Sequence, residues 1–516
     1  MRLVGGIVIA FLLVFLAGCR KHGVLYPYGI IEYSYYDTLR NAKYAIDGKK
    51  VAWYMDSLRL SSRDTAFVDL FVDKYYASRQ PYLWIDTKGA DCRVDSLEKI
   101  LSSVSADGIN LSSVYHPYIK KALQCLRNFD FKTCDINLCL AQIEYYATKG
   151  LVRYACGMRF GFVNPYKFYN RMDLVNDEDT LCTDFRTLYD TPTETPGREY
   201  LSGLLDGITE GSFPEMAEKA LCRDGGYLRL RGEYQKKEIG IAKKRAIAVN
   251  MERYRWRMKN ESERKEGGKY VWINLPEFML RAVDEESGET LEMKVCEGSL
   301  KHKTPQLASE VGRLELNPVW TVPQSIISRE IAPKHAEDES YFERNRMRII
   351  EKSTGEETEP SAVSAEMLRS GKYSVVQNKG EGNSLGRMIF RFKNNFAIFL
   401  HDTPNREAFN RTFRAVSHGC VRLEKPLELA VFMLADKDPL VIDKMRIAVG
   451  LPPESEEGKR LAAKEDARIM GLKTFKPPVP LYITYLTAYP GRNGNIVYTP
   501  DPYGYDGRLL SVLRNY

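Results

Sequence analysis

Apolar residues recur at intervals of three and four along the first half of the chain. The stretches TAFVDLFVDKYYASRQ (65–80) and DINLCLAQIEYYATKGLVRYACGMRFG (135–161) show this spacing most clearly. Side chains three and four residues apart share one face of an α-helix, so the spacing predicts helices with a buried face. We therefore expect residues 40–225 to be mainly helical, with polar loops such as NPYKFYNRMDLVNDED between the helices.

From about residue 268 the pattern changes to short apolar runs separated by turn residues. KYVWINLPEFMLRAVDEESGETLEMKVCEG has β-rich runs on both sides of EESGE, which predicts a hairpin. A charged, turn-rich insert follows at 334–372, and its segment STGEETEPS is typical of an exposed loop or a mobile cap. Residues 451–516 begin with a charged helical pattern and end with two predicted strands around GRNGN.

These patterns predict an α+β protein with several domains. We expect a mainly helical domain over 20–265 and a mostly β domain over 266–450 that carries the insert 334–372. A C-terminal helix and hairpin, 451–516, should pack on these domains. A chain of 516 residues with 44% hydrophobic residues has enough material for two or three cores.

The chain begins MRLVGGIVIAFLLVFLAGC, with a basic start, an apolar run and small residues before Cys19. This is the layout of a secretory signal, and the run is too short for a convincing membrane span. The ending LAGC resembles a bacterial lipobox, which implies that Cys19 carries acyl chains that anchor the mature protein to a membrane. The alternative is an ordinary signal peptide with an incidental cysteine. We expect a periplasmic, lipid-anchored protein, and Arg20 favours the outer over the inner membrane.

The charge of the chain does not indicate a polyanionic partner. A net charge of +7 comes from 75 basic and 68 acidic residues, which is a balanced composition. The most basic stretch, 236–269, has apolar residues at helical spacing, so it predicts a solvated amphipathic helix and no nucleic-acid partner.

The cysteines allow two interpretations. Eight cysteines besides Cys19 and Cys420 permit disulfides in an exported protein, mainly in the N-terminal region, or else are buried free thiols. They are Cys92, Cys125, Cys134, Cys139, Cys156, Cys182, Cys222 and Cys296. Their spacing does not suggest a zinc site.

The strongest candidate chemistry lies in HDTPNREAFNRTFRAVSHGCVRL, residues 401–423. FAIFLHD predicts a strand that exposes His401 at its end, and Gly419 allows a tight turn before Cys420. The residues after Cys420 predict a helix, whose amide dipoles would give the cysteine thiolate character. A nearby histidine would complete the activation as a base or as an imidazolium, and amides of the turn would stabilise an oxyanion.

HDTP…SHGCVRL resembles the signature of the L,D-transpeptidases with the YkuD-type catalytic domain. Five other stretches are similar to the large, scaffold-bearing branch of that family: NMERYRW, YVWINLPEFML, KTPQLASEVGRLELNPVWTVPQSI, GEGNSLGRMIF and YDGRLL. The resemblance covers about residues 240–516. The chain departs from the branch in lacking a recognisable inserted peptidoglycan-binding repeat domain and in having GEGN where GPGN is usual.

The resemblance implies a β-sandwich-like catalytic domain, a helical scaffold beside it, and a lid at 334–372. It also implies that a peptidoglycan stem peptide acylates Cys420 at its third residue, with loss of D-Ala, and that the amine of a second stem resolves the thioester into a 3→3 cross-link. His401 is then the general base and acid. The resemblance further implies that the amides of His418, Gly419 and Cys420 form an oxyanion hole and that His418 is a secondary imidazole. Asp402 or a main-chain carbonyl would orient His401, and Ser417 would stabilise the turn. Arg422, Trp320 and Tyr341 would contact the substrate.

Purely structural roles are the alternatives for the three substrate-contact residues. Arg422 would form a salt bridge that braces the loop, and Trp320 and Tyr341 would simply pack. Two other functions also stay open: an L,D-carboxypeptidase or endopeptidase that uses water as acceptor, and a catalytically silent peptidoglycan-binding lipoprotein. Thiol, imidazole and amides suffice for acyl transfer, so no metal or organic cofactor is called for. Carbapenem-type β-lactams are expected to acylate Cys420.

Overall fold

The computed structural model describes residues 45–86, 89–131, 135–175, 184–259, 267–338, 340–464 and 470–515. The predicted signal and Cys19 lie outside the described residues, as do Cys134 and Cys182. Within those ranges, no helix is long and apolar enough to span a bilayer.

The N-terminal part of the chain is a helical layer built around one long buried helix. That helix, α5, is capped by the Asp135 side chain, which accepts from the amide of Leu138, and it ends at Gly161. The helices are α1 (Gly48–Ser61), α2 (Phe67–Ala77), α3 (Arg93–Ser102), α4 (His116–Asn128), α5 (Ile136–Phe160), α6 (Pro165–Tyr169), α7 (Arg198–Glu210), α8 (Phe213–Lys219), α9 (Gly225–Tyr234) and α10 (Ile241–Arg255). Short strands are β1 (Ile85–Asp86), β2 (Gly89–Ala90) and β3 (Tyr189–Asp190). The two helices expected from the apolar spacing, α2 and α5, are confirmed.

Helix α10 differs from its prediction as a solvated helix. Its C-terminal half is buried, and Glu252 and Arg255 form a fully buried ion pair of 3.0 Å. Arg253 pairs with Asp506 near the C-terminus at 2.7 Å. These charged residues, which suggested a solvent-exposed helix, form ion pairs inside the protein. Buried charges are tolerated when they are paired in this way.

The second half of the chain forms a large sheet, the main sheet. Its strands are β4 (Lys269–Asn274), β5 (Met279–Asp284), β6 (Thr290–Gly298), β7 (Gln306–Leu316), β12 (Met388–Phe392), β13 (Leu400–His401), β14 (Ala415–Ser417), β15 (Val421–Leu423) and β16 (Leu472–Thr484), with β3 at one edge. Pairing runs β12-β13-β15-β6-β5-β4-β16-β7, and β7 also pairs with β12, so the sheet curves back on itself. The EESGE hairpin is confirmed between β5 and β6, which pair antiparallel.

Strand β16 extends the main sheet beyond residue 450, where the mostly β domain was expected to end. It lies between β4, to which it is parallel, and β7, to which it is antiparallel. The hairpin predicted around GRNGN follows it as β17 (Ala488–Pro490) and β18 (Ile496–Tyr498). The remaining helices of this half are α15 (Pro426–Met433), α16 (Pro439–Ala448), α17 (Glu456–Ala462) and α18 (Tyr505–Asn515).

Residues 320–377, here called the lid unit, form a separate small layer with its own hydrophobic core. Its sheet joins β8 (Trp320–Thr321), β9 (Met347–Glu351), β10 (Glu357–Thr358) and β11 (Tyr373–Gln377) in the order β10-β9-β11-β8. Its helices are α11 (Gln324–Ile326), α12 (Ala332–Glu337), α13 (Tyr341–Arg344) and α14 (Ala365–Arg369), with π-helical turns at Ile327–Ile331. The unit is longer at both ends than the predicted insert 334–372.

The overall class is α+β, as predicted, with a helical N-terminal layer and a mostly β C-terminal layer. Of the cysteines that were open to disulfide pairing, Cys125, Cys156, Cys222 and Cys296 are free thiols. Burial raises the pKa of Cys156, so this thiol is held protonated and acts as a small apolar side chain.

Candidate active site

The register of two short parallel strands determines where His401 and Cys420 lie relative to each other. In β13 and β15, Leu400 lies opposite Val421 and His401 lies opposite Arg422. The amide of Val421 also donates to the carbonyl of Phe399 at 3.0 Å, which extends the pairing one residue towards Cys420. Since side chains alternate between faces, the position of Cys420, one residue before β15, lies on the same face as His401 and diagonal to it.

The imidazole of His401 is buried and neutral. Burial, followed by the positive charge of Arg422, lowers its pKa to about 4, although carbonyls of Asp402 and Leu385 act in the opposite direction. Nδ1 lies 2.5 Å from the main-chain carbonyl of Asp402, and a carbonyl only accepts, so Nδ1 carries the proton. Nε2 is then left with a free lone pair. The ring is therefore a base at neutral pH and not an imidazolium.

The carboxylate of Asp402 does not orient His401. It accepts from the amide of Arg387 at 2.9 Å and from the guanidinium of Arg406 at 3.3 Å. Of the two orienting groups considered from the sequence, the structure has the main-chain carbonyl, and Asp402 supplies it.

The helix predicted after Cys420 is present, with Pro426 in its first turn, but it begins six residues beyond the cysteine, so the expected contact of the thiol with the helix amides is not observed. Residues Val421–Leu423 form β15, because they pair with β13 on one side and β6 on the other, and α15 begins only at Pro426. Burial raises the pKa of Cys420, against smaller lowering effects of a main-chain hydrogen bond from Phe399 and the charge of Arg422. The resting pair is thus a neutral thiol and a neutral imidazole, which favours general-base activation over a preformed ion pair.

Ser417 holds the turn before Cys420. Its hydroxyl donates to the carbonyl of Cys420 at 2.5 Å and accepts from the amide of Gly419 at 3.1 Å. Gly419 has φ +111°, a conformation that favours glycine, as the sequence predicted. Because the Gly419 amide is already engaged, an oxyanion hole in this conformation depends on the amides of His418 and Cys420.

A buried network of hydrogen bonds links the same turn to β6 and to Tyr503. The hydroxyl of Thr304 accepts from the amide of Gly298 at 2.8 Å and donates to the carbonyl of Gly419 at 2.9 Å. Tyr503 donates to the carbonyl of Gly298 at 2.6 Å and accepts from the amide of Thr304 at 3.2 Å. A side chain at Gly298 would meet the carbonyl of His302 at 2.0 Å, so glycine is required there. Thr304 and Tyr503 are therefore positioning residues for Cys420.

Replacing Thr304 by valine is expected to slow acylation of Cys420 about tenfold or more, while Thr304→Ser retains most of the rate. Valine leaves the Gly298 amide and the Gly419 carbonyl unpaired in the interior, which costs about 1–3 kcal/mol for each group. The check is the alkylation rate of Cys420 by iodoacetamide, with thermal unfolding measured in parallel. A valine variant as reactive as the serine variant would contradict the positioning role.

Glu297 is a buried carboxyl group next to this network. Neither of its oxygens has a hydrogen-bond partner at ordinary distance and angle in the described part of the chain, although Tyr503 lies close enough to act on it. It is fully buried and lies opposite Ala415 in the pairing of β6 with β14. Burial raises the pKa of Glu297 well above its ordinary value, although Tyr503 and Arg414 lower it. Burial therefore favours the protonated form of the Glu297 carboxyl in the folded protein.

Glu297→Gln is expected to stabilise the protein at pH 8 and to leave its stability at pH 4 unchanged. A raised folded-state pKa stabilises fully below the unfolded pKa, and that stability is lost as pH rises towards the folded value. The free energy of unfolding of the wild type should therefore fall, relative to the glutamine variant, by about 1.4 kcal/mol per pH unit over that window. Urea unfolding at several pH values measures this, and parallel pH profiles would refute it.

Arg422 lies beside both reactive side chains and has no carboxylate partner among the described residues. Its charge lowers the pKa of both His401 and Cys420, and its buried Nε makes no hydrogen bond. The loop-bracing salt bridge considered from the sequence is therefore not observed. A half-buried, uncompensated guanidinium next to a nucleophile is suited to a substrate carboxylate or carbonyl.

His418 faces away from the strands towards the lid unit. Its Nε2 contacts a carboxylate oxygen of Glu330, which lies in the π-helical turns of the lid unit. Its ring also lies 4.8 Å from that of His302, centroid to centroid. The contact joins the turn before Cys420 to the lid unit, so His418 lies at the edge of the site.

The part of the chain that carries His401 and Cys420 matches a known protein family. Residues 268–442 match the family model of the YkuD L,D-transpeptidase catalytic domain. The chain therefore carries an L,D-transpeptidase catalytic domain. Residues 71–231 match a second family model, the Scaffold domain. The L,D-transpeptidase domain contains His401, Cys420 and the lid unit, and the Scaffold domain coincides with most of the helical layer.

Two individual proteins are similar to this chain. One is a "Putative L,D-transpeptidase" of Haemophilus influenzae, 31% identical over 244 residues, which are 46% of this chain and 45% of that protein. The aligned part thus spans less than half of the relative. The other is the solved structure of an L,D-transpeptidase from Mycobacterium smegmatis, 12% identical, covering 42% of this chain and 58% of that chain with a TM-score of 0.19. A likeness that weak supports no argument here.

Trp320 and Tyr341, predicted to contact substrate, pack against the core of the lid unit, whereas Cys420 packs against the main core of the L,D-transpeptidase domain. Tyr341 lies near Glu330, whose charge adds to burial in raising the pKa of the phenol. The packing alternative is the one observed for both residues.

Sequence reasoning missed four residues around the L,D-transpeptidase site. They are His302, Thr304, Glu330 and Tyr503. Thr304 lies in KTPQLASEVGRLELNPVWTVPQSI, a stretch that resembles the scaffold-bearing branch of the family, and this resemblance could have indicated its role. Tyr503 had none, since it reaches Gly298 across 205 residues of sequence.

Proposed function

We propose that this chain is an exported peptidoglycan L,D-transpeptidase that forms 3→3 cross-links through a thioester on Cys420. The observation that supports the proposal is the parallel pairing of β13 with β15, in which His401 lies opposite Arg422, two residues after Cys420. The matched catalytic domain supports the reaction class.

The residues suggest a complete proton path. Nε2 of His401 takes the thiol proton of Cys420 as sulfur adds to the carbonyl of the third stem residue. The amides of His418 and Cys420 stabilise the oxyanion, and Arg422 contributes positive charge nearby. Collapse breaks the peptide bond, and D-Ala leaves with the proton from His401. The amine of a second stem then attacks the thioester, gives its proton to His401 and releases the thiol.

The deciding experiment incubates the purified protein with disaccharide tetrapeptides and follows the products by mass spectrometry. Cross-linked dimers, with one D-Ala released per link, are the expected product. Shortened monomers alone would assign the carboxypeptidase reaction, in which water replaces the amine. Absence of both products would overturn the proposal and leave the peptidoglycan-binding lipoprotein as the alternative.

A carbapenem offers a second test of the nucleophile. Opening of the β-lactam ring by Cys420 joins the whole drug to the protein as a thioester, so the protein mass increases by the mass of the drug. Peptide mapping should place the adduct on Cys420. An adduct on another cysteine, or none at all, would count against the family mechanism.

We further propose that the protein is anchored by a lipid on Cys19 at the periplasmic face of a membrane, with the outer membrane favoured. Support comes from MRLVGGIVIAFLLVFLAGC, and these residues lie outside the described part of the structure. Labelling cells with radioactive palmitate tests the lipidation, and fractionating their membranes tests which membrane carries the protein. A label retained in Cys19→Ala would exclude this anchor.

A further inference from the structure

A cavity of about 730 Å³ lies beside the candidate site, where three parts of the chain meet. The helical layer contributes Met172, Asp173, Leu174, Val175 and Arg186, the loop between β6 and β7 contributes Leu300 to Lys303, and the lid unit contributes Arg329 and Glu330. The ring of His302, in the loop wall, lies tilted beside that of His418, two residues before Cys420. The volume is in the range of small-ligand sites.

Two of the three walls are fixed to each other. The guanidinium of Arg186 donates to the carbonyl of Lys301 and, at 3.1 Å, to the carbonyl of Val175. Lys303 forms an ion pair with Asp173, which also lies 3.6 Å from Arg508. The helical layer is thereby held against the loop that carries His302, so this wall is preformed.

The charges of the cavity are unevenly compensated. Both acidic groups have partners, Asp173 with Lys303 and Glu330 with His418. Lys301 and Arg329 are exposed, and within the described ranges neither has an acidic partner. They come from opposite walls, the loop and the lid unit. An anionic group entering the cavity would thus find two exposed cations without acidic partners, besides Arg186, which donates to main-chain carbonyls.

Arg329 and Glu330 lie in the π-helical turns Ile327–Ile331. Such irregular turns are frequent at functional sites, because they change the direction of side chains along a helix. Here they bring a cation to the cavity and a carboxylate to His418 from adjacent positions.

We propose that this cavity binds a free carboxylate of a peptidoglycan stem peptide through Lys301 and Arg329, with the helical layer as its third wall. The identity of the ligand rests on the proposed function, while the cation-lined cavity does not. Lysine and arginine form charge-assisted hydrogen bonds with carboxylates, and arginine can bind them in a bidentate manner. Both the acyl donor and the acceptor stem carry such carboxylates, and the two sources are separated by the test.

Binding can be measured without catalysis by titrating full-length Cys420→Ala protein with a stem tetrapeptide in a calorimeter. Adding Lys301→Ala or Arg329→Ala should raise the dissociation constant about tenfold each, since each removes one charge-assisted contact. Lys372→Ala is the matched control, because Lys372 is an exposed lysine of the lid unit that does not line the cavity. Affinities equal to that of the control would overturn the proposal.

Kinetics with Cys420 intact then assign the source of the carboxylate. A raised KM in hydrolysis of the donor alone identifies the donor stem, and a raised KM for the acceptor amine alone identifies the acceptor. If neither the KM for the donor nor the KM for the acceptor changes, the carboxylate site is refuted. If the wild type forms no product while the titration still depends on Lys301 and Arg329, the cavity proposal stands and the proposed reaction fails.

Discussion

Cys420→Ala should abolish both the formation of cross-links and the release of D-Ala. Removing the sulfur removes the covalent intermediate, and loss of a nucleophile that acts together with its base typically costs 10⁴-fold or more. The fold should persist, because Cys420 is only partly buried and alanine fills most of its volume. The measurement is the initial rate of dimer formation and of D-Ala release from a tetrapeptide substrate.

Cys125→Ala is the matched control for this substitution. Cys125 is a free thiol of similar intermediate exposure on α4, in the helical layer. Its variant should keep the wild-type rate, so a general effect of thiol removal can be separated from loss of the nucleophile. Residual cross-linking by Cys420→Ala above background would eliminate the thioester route.

The elements that the sequence predicted well are those determined by local pattern. Helices α2 and α5 follow the three- and four-residue spacing of apolar side chains, and the β5–β6 hairpin follows EESGE. Such patterns depend only on residues close in sequence, so they can be recognised without knowledge of tertiary contacts. The match of residues 268–442 to the YkuD family model was predictable for another reason, because the resemblance of HDTP…SHGCVRL is specific.

Strand β16 shows what pattern alone finds only in part, because VPLYIT was predicted to be a strand and the residues before it were not. The strand contains Pro477, Pro478 and Pro480, residues that normally argue against a central strand. Pro477 and Pro478 lie where the register with β7 shifts, between Thr474 and Val479, so they are not required to donate to the ladder there, whereas Pro480 lies opposite Glu310. Only the partners β4 and β7, far away in sequence, make this segment a strand.

The short segment after Cys420 shows the same limit at the site itself. Val421–Leu423 is too short for periodicity to distinguish helix from strand, and its two paired neighbours decide the outcome. The consequence is chemical, because the thiol loses the expected helix dipole and Cys420 depends on His401 for its ionisation. The contacts of Thr304 with Gly419, 115 residues apart, are equally invisible to local patterns.

His401→Gln is expected to lower the acylation rate by about 10²–10⁴-fold, because glutamine cannot accept the thiol proton. In the wild type, the base is competent while its pKa of about 4 lies below the pH, so activity should fall only as pH drops through about 4. In the variant this acid limb should vanish, and the residual rate should rise with pH as the thiol ionises unaided. His116→Gln, at a buried histidine of the helical layer, is the control. A wild-type acid limb near pH 6.5 would instead mean that His401 is solvated and that the proposed neutral pair does not exist.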